Sequence, residues 1–292
     1  MEGKLMRGWI RSGVCVSLLL GACGTKSSEN KSPKDDPGGQ SLATNDPSGE
    51  AAVTPPTMTL EAGGYEVVLR FGEASTQSRR IEVIKDGNTY WSHAAPGLEI
   101  VESTRDGKTR IEPGSDVTGD GLANLLLRDH RGSETHFQII RLGQEVEVLA
   151  DLVAGDGTGQ GFEDLDGDGV MECLVRDGTW SDVLGNDGPT VVLRWDGSEY
   201  RASGADMARP PESIEDLEPT IDRLVMAQSW EQGNPPKELW STALDLAFAG
   251  HEDLAVHLIG WAWPEGQTGR EAFIERFRST LAQSPYYPQI AG

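Results

Sequence analysis

The chain has 292 residues, a formal net charge of −22, 36 glycines and 37% hydrophobic residues. That composition suits one or two modest domains rich in turns, together with some unfolded length, and it excludes an integral membrane protein of apolar helices. It also disfavours nucleic acid as a partner, because no basic stripe is present to replace phosphate counterions; cations are the natural small partners.

The first element is a leader. Basic Lys4, Arg7 and Arg11 precede the apolar run Val14, Cys15, Val16, Ser17, Leu18, Leu19 and Leu20, which is too short to span a bilayer and reads as a secretory signal over residues 1–22. The run ends in Leu20, Gly21 and Ala22 before Cys23, and this resembles the lipobox of bacterial lipoproteins. The resemblance implies cleavage before Cys23 and a lipid on its thiol and new amino group, anchoring the protein in a membrane. Gly24, where that family often carries aspartate for inner-membrane retention, implies the bacterial outer membrane, facing either the periplasm or the surface.

Residues 23–57 hold almost no large apolar side chain, cannot offset the entropy of ordering, and read as a flexible tether. Of the three cysteines, Cys15 leaves with the leader and Cys23 carries lipid. Cys173 then has no intramolecular partner for a disulfide.

Residues 58–205 read as antiparallel β structure of about three repeats, a β meander or partial propeller. Three stretches share one plan of apolar strand, basic residue, Gly turn and second strand: 81–92, 137–149 and 191–203. Their turn glycines Gly87, Gly143 and Gly197 lie 56 and 54 residues apart. Each is expected to supply backbone angles that other residues resist.

A second repeat is chemical. "DVTGDGLANLLLRD" from 116 and "DLDGDGVMECLVRD" from 164 agree at seven of fourteen positions without a gap, each leading into an apolar strand. Counted from Asp164, the second loop places carboxylates at positions 1, 3, 5 and 9 (Asp164, Asp166, Asp168, Glu172), the Val170 carbonyl at 7, and Gly169 at the sharp turn. Six or seven hard oxygen ligands suit Ca2+, and no His or Cys accompanies them to favour a softer metal. The first loop offers Asp116, Thr118, Asp120, the Leu122 carbonyl and Asn124, with only two carboxylates, and is expected to be the weaker site. Turn propensity alone would also select Asp, Asn and Gly here, without any ion.

An EF-hand would carry a bidentate glutamate at position 12, but Val175 stands there and a strand follows. The loops resemble the calcium loops of FG-GAP and VCBS repeats, found in integrin α-subunit propellers and bacterial surface proteins. In that family aspartates at 1, 3, 5 and 9 hold Ca2+ between two strands; here Glu172 stands at 9.

From residue 211 to 286 the spacing turns helical, with helices expected around 219–228, 236–249, 252–263 and 268–283, two of them opened by Pro219 and Pro236. Ala243, Leu246, Gly250, Ala255, Ile259 and Ala262 fall as in a tetratricopeptide-like helical hairpin, in a single copy. The fold class is therefore α+β by segregation, an antiparallel β region followed by a helical C-terminal domain.

Catalytic motifs are not legible. "HEDLAVH" lacks a second histidine at 255, where Ala255 sits, and "GDGTGQG" (155–161) lacks the lysine and helix of a phosphate loop. No GxSxG or CxxC occurs. The favoured function is a non-catalytic binding or scaffold module for a protein or glycan; the alternative is an exported hydrolase whose carboxylate site the sequence conceals.

Overall fold

The computed structural model describes residues 57–72, 78–102, 110–155, 161–185, 188–232 and 234–291. The leader, Cys23 and the tether as far as residue 56 lie outside the described residues, and among those described no helix is long and apolar enough to cross a membrane.

Three four-stranded antiparallel sheets follow one another, each a simple meander and none closed. The first holds β1 (Thr57–Ala62), β2 (Tyr65–Phe71), β3 (Ser78–Lys85) and β4 (Asn88–Pro96). The second holds β5 (Glu99–Ile100), β6 (Ala123–Arg131), β7 (Glu134–Leu142) and β8 (Val146–Gly155). The third holds β9 (Gly161–Glu163), β10 (Glu172–Arg176), β11 (Thr190–Trp195) and β12 (Tyr200–Ala202). The hairpin repeat of the sequence is the link from third to fourth strand of every sheet, and each acidic loop links the first strand to the second.

Asp86 and Gly87 both have positive φ (50° and 75°), matching the right-handed twist of the β3–β4 hairpin, and Gly197 lies at 100°. Gly143 departs from the expectation. Its φ is not positive, and a Cβ there would meet only ordinary contacts, because the longer loop to β8 closes through its amide to the Glu145 carbonyl at 3.2 Å.

The middle sheet is covered on both faces, which is why β6 reads as a continuous apolar run. Leu125 and Leu127 join Val67, Leu69, Ile81 and Val83 of the first sheet, whereas Leu126, Phe137 and Ile139 join Phe162, Cys173 and Val175 of the third. The second of these cores continues into the helices: Trp180, fully buried after β10, lies 6.0 Å from Trp240 and 6.1 Å from Phe277, ring centre to ring centre.

Seven helices occur among the described residues, mostly C-terminal. They are α1 (Ser181–Leu184), α2 (Gly204–Met207), α3 (Ile214–Val225), α4 (Lys237–Phe248), α5 (Glu252–Ala262), α6 (Arg270–Gln283) and α7 (Tyr287–Ala291). α4 and α5 form the expected hairpin, with Ala243, Leu246, Ala255, Ile259 and Ala262 buried and Gly250 at φ 92° ending α4. α3 corrects the reading of Pro219. The helix begins at Ile214 under a reciprocal Ser213–Asp216 capping box, and Pro219 lies inside it. The described residues form one compact unit, so the change from strand to helix near residue 205 is a change of secondary structure within a shared core.

Candidate metal centre

Four hydrogen bonds that curl the acidic loops are repeated position for position. Asp164 accepts the amides of Gly167 (2.7 Å) and Gly169 (3.2 Å), and Asp116 accepts those of Gly119 and Gly121 (both 2.7 Å). Asp168 accepts from Val170 at 2.8 Å as Asp120 accepts from Leu122 at 2.9 Å. Glu172 accepts from Leu165 at 2.8 Å as the Asn124 side-chain carbonyl accepts from Val117, also at 2.8 Å. Each carboxylate thus draws the chain into a curl, and glycines at φ 72–88° (Gly119, Gly121, Gly167, Gly169) permit it.

In the second loop, ligand oxygens of Asp164, Asp166 and Glu172 all lie within 4.8 Å of one another. Glu172 has 0% exposure, and its Oε1 has no hydrogen-bond partner. Burial pushes the Glu172 carboxyl above its usual range, against the Leu165 amide and Arg194, while Asp166 and Asp206 add repulsion. A buried carboxylate oxygen without a donor is costly, so an all-oxygen cluster around it fits a hard divalent cation.

The ligand set differs in part from the sequence expectation. Asp168 is not in the convergent group; its Oδ2 faces Arg194 of β11 at 2.5 Å. The first loop gathers no three-carboxylate cluster, its Asp116 being satisfied by backbone amides and Asp120 by Arg141 of β7 at 3.0 Å. Thr118 is buried, whereas the Leu122 side chain is exposed.

Sequence reasoning missed the two arginines. They are the basic residues of the repeated hairpin, and strand pairing carries each beside the acidic loop of its own sheet. It also missed that the loops touch: the Met171 amide donates to the Val117 carbonyl at 3.0 Å, and the Tyr200 hydroxyl to the Met171 carbonyl at 3.1 Å.

A second polar cluster joins the first two sheets. His93, Asp129, Arg131, His136, Gln138 and Asp151 connect through contacts of 2.8–3.1 Å, drawn from four strands with no motif spacing to announce them. The cleft lined by His251, Glu252, Asp253 and Tyr287 has a volume of about 490 Å³. Three of its polar groups are engaged within the fold: Glu252 accepts from Tyr287 at 2.9 Å and pairs with Arg278, and His251 Nε2 contacts the Arg209 carbonyl at 2.6 Å. Cys173 is fully buried and its thiol pKa is raised by burial, a poor setting for a nucleophile.

Comparison with protein-family models, with curated proteins and with solved structures finds no match.

Proposed function

We propose that this chain is a non-catalytic, calcium-stabilised binding or scaffold module, tethered through lipidated Cys23 to the bacterial outer membrane. The carrying observation is the convergence of Asp164, Asp166 and Glu172 about a buried Glu172 oxygen that accepts no hydrogen bond. These three carboxylates would hold the ion, as in the FG-GAP and VCBS calcium loops that the sequence resembles. The ion would supply positive charge and fixed coordination, and no reaction.

Without a cation, crowded carboxylates repel by roughly a kcal/mol per close pair at intermediate dielectric. At a Kd on the order of 10⁻⁴ M, millimolar Ca2+ contributes about 1.4 kcal/mol by mass action, a magnitude suited to holding a surface in shape. The charge of −22 favours a protein or glycan partner over nucleic acid.

The test is thermal unfolding with and without Ca2+. Calcium is expected to raise the melting temperature of the wild type and not of the Asp166→Ala, Asp168→Ala double variant; an equal rise in both removes the second loop as the site. The anchor is tested separately, since palmitate labelling that survives Cys23→Ala excludes it.

A further inference from the structure

A guanidinium already sits in the second acidic loop. Arg194 donates from Nη1 to Asp166 at 2.7 Å and from Nη2 to Asp168 at 2.5 Å, and its Nε lies 3.9 Å from the unpartnered Oε1 of Glu172. The same Nη1 is 3.7 Å from Oδ1 of Asp206 on α2, whose Oδ2 is buried and without a partner. Arg194 therefore hydrogen-bonds Asp166 and Asp168 on one side and approaches Asp206 on the other without a hydrogen bond.

Arginine cannot shed its proton, so its charge leaves the loop only if the side chain moves. A divalent ion on Asp164, Asp166 and Glu172 and a guanidinium on Asp166 would be like charges a few ångströms apart. We propose that the loop is a cation-exchange site: the divalent ion displaces Arg194, and Asp206 receives it. This rests on reading the loop as a calcium site, and adds to it a built-in competitor and a place for that competitor to go.

The exchange reaches beyond the loop because β12 and α2 both touch α7. The Ala202 amide donates to the Gln289 side chain at 3.0 Å, and Gly204 lies so close to Ile290 that a Cβ would stand 3.1 Å from its carbonyl oxygen. Moving the guanidinium from Asp166 and Asp168 to Asp206 tightens β11 to α2 and, through it, the third sheet to α7.

Calcium titration calorimetry on the full-length chain tests the exchange. Arg194→Ala is expected to bind Ca2+ roughly tenfold more tightly than wild type, about 1.4 kcal/mol, and Arg194→Lys, which keeps the charge but loses the fork, to fall between them. Asp206→Asn is expected to weaken binding severalfold in the wild-type background and to have no effect beside Arg194→Ala. Equal or weaker binding by Arg194→Ala overturns the exchange and leaves the calcium loop standing. An equal loss from Asp206→Asn in both backgrounds also overturns it, by making Asp206 an ordinary part of the ion's field. Absence of calcium binding in every variant, with melting temperatures unmoved by Ca2+, removes the loop reading and the exchange together.

Discussion

His93 on β4 and Asp129 on β6 meet across the seam between the first two sheets, with Nε2 of the histidine 2.8 Å from a carboxylate oxygen. Asp129 is 1% exposed, and its other oxygen takes the Arg131 guanidinium at 3.1 Å. Truncating His93 to alanine leaves a buried carboxylate one partner short. The expected loss is about 1–3 kcal/mol of stability, read from urea unfolding. Asp129→Ala is expected to cost at least as much, since His93 loses its acceptor and Arg131 is left with Asp151 alone.

Asp151 makes the same seam sensitive to acid. Burial works against its charge, but hydrogen bonds from Gln138, His136 and Arg131 outweigh it and hold the carboxyl below its usual 3.8. A carboxyl lowered in the folded state contributes stability above the unfolded value and loses it as pH falls through the folded one. Stability of the wild type should therefore drop in the window below 3.8. Asp151→Asn should be less stable at neutral pH and flatter across that window, as measured by thermal melts over an acid series.

Gly119 and Val170 bring the two acidic loops into contact. A Cβ on Gly119, at φ 72°, would lie 2.6 Å from Val170 Cγ2. Gly119→Ala is expected to cost about 1–3 kcal/mol, part steric and part backbone strain. Adding Val170→Ala should recover the steric part alone. A double variant no more stable than Gly119→Ala would show that the loops do not press on each other there.

The repeated loops should respond unequally to calcium. Asp116→Ala removes an acceptor of three backbone amides, so it should lower the melting temperature with or without Ca2+ and leave the calcium-induced rise intact. Asp164→Ala should abolish the rise, because it removes one of the three convergent carboxylates. Differential scanning calorimetry of both variants with and without Ca2+ separates the two cases.

Trp180 tests whether sheets and helices share one core. Trp180→Ala would empty space against Trp240 and Phe277 at once, at an expected cost of about 3–5 kcal/mol. The far-UV signals of strand and helix should then unfold together at a lower denaturant concentration.

What the amino-acid order determined was local. The curl of each acidic loop comes from bonds spanning two to seven residues, so the spacing of Asp, Gly and Glu specifies it directly, and the repeat at 116 and 164 carries it twice. The same holds for the three hairpins, the apolar strands and the α4–α5 hairpin, whose periods are written in adjacent residues. Pro219 misled because a capping box three to six residues upstream and the packing of Leu217 and Leu224 sustain α3 through a residue that usually opens a helix. Only the tertiary structure decided which charges face which. Arg194 reaches Asp166 across 28 residues, Met171 reaches Val117 across 54, and His93 finds Asp129 on another sheet. Strand pairing and sheet stacking set those partners, and a period of two along a strand states which face a side chain takes without stating what waits opposite.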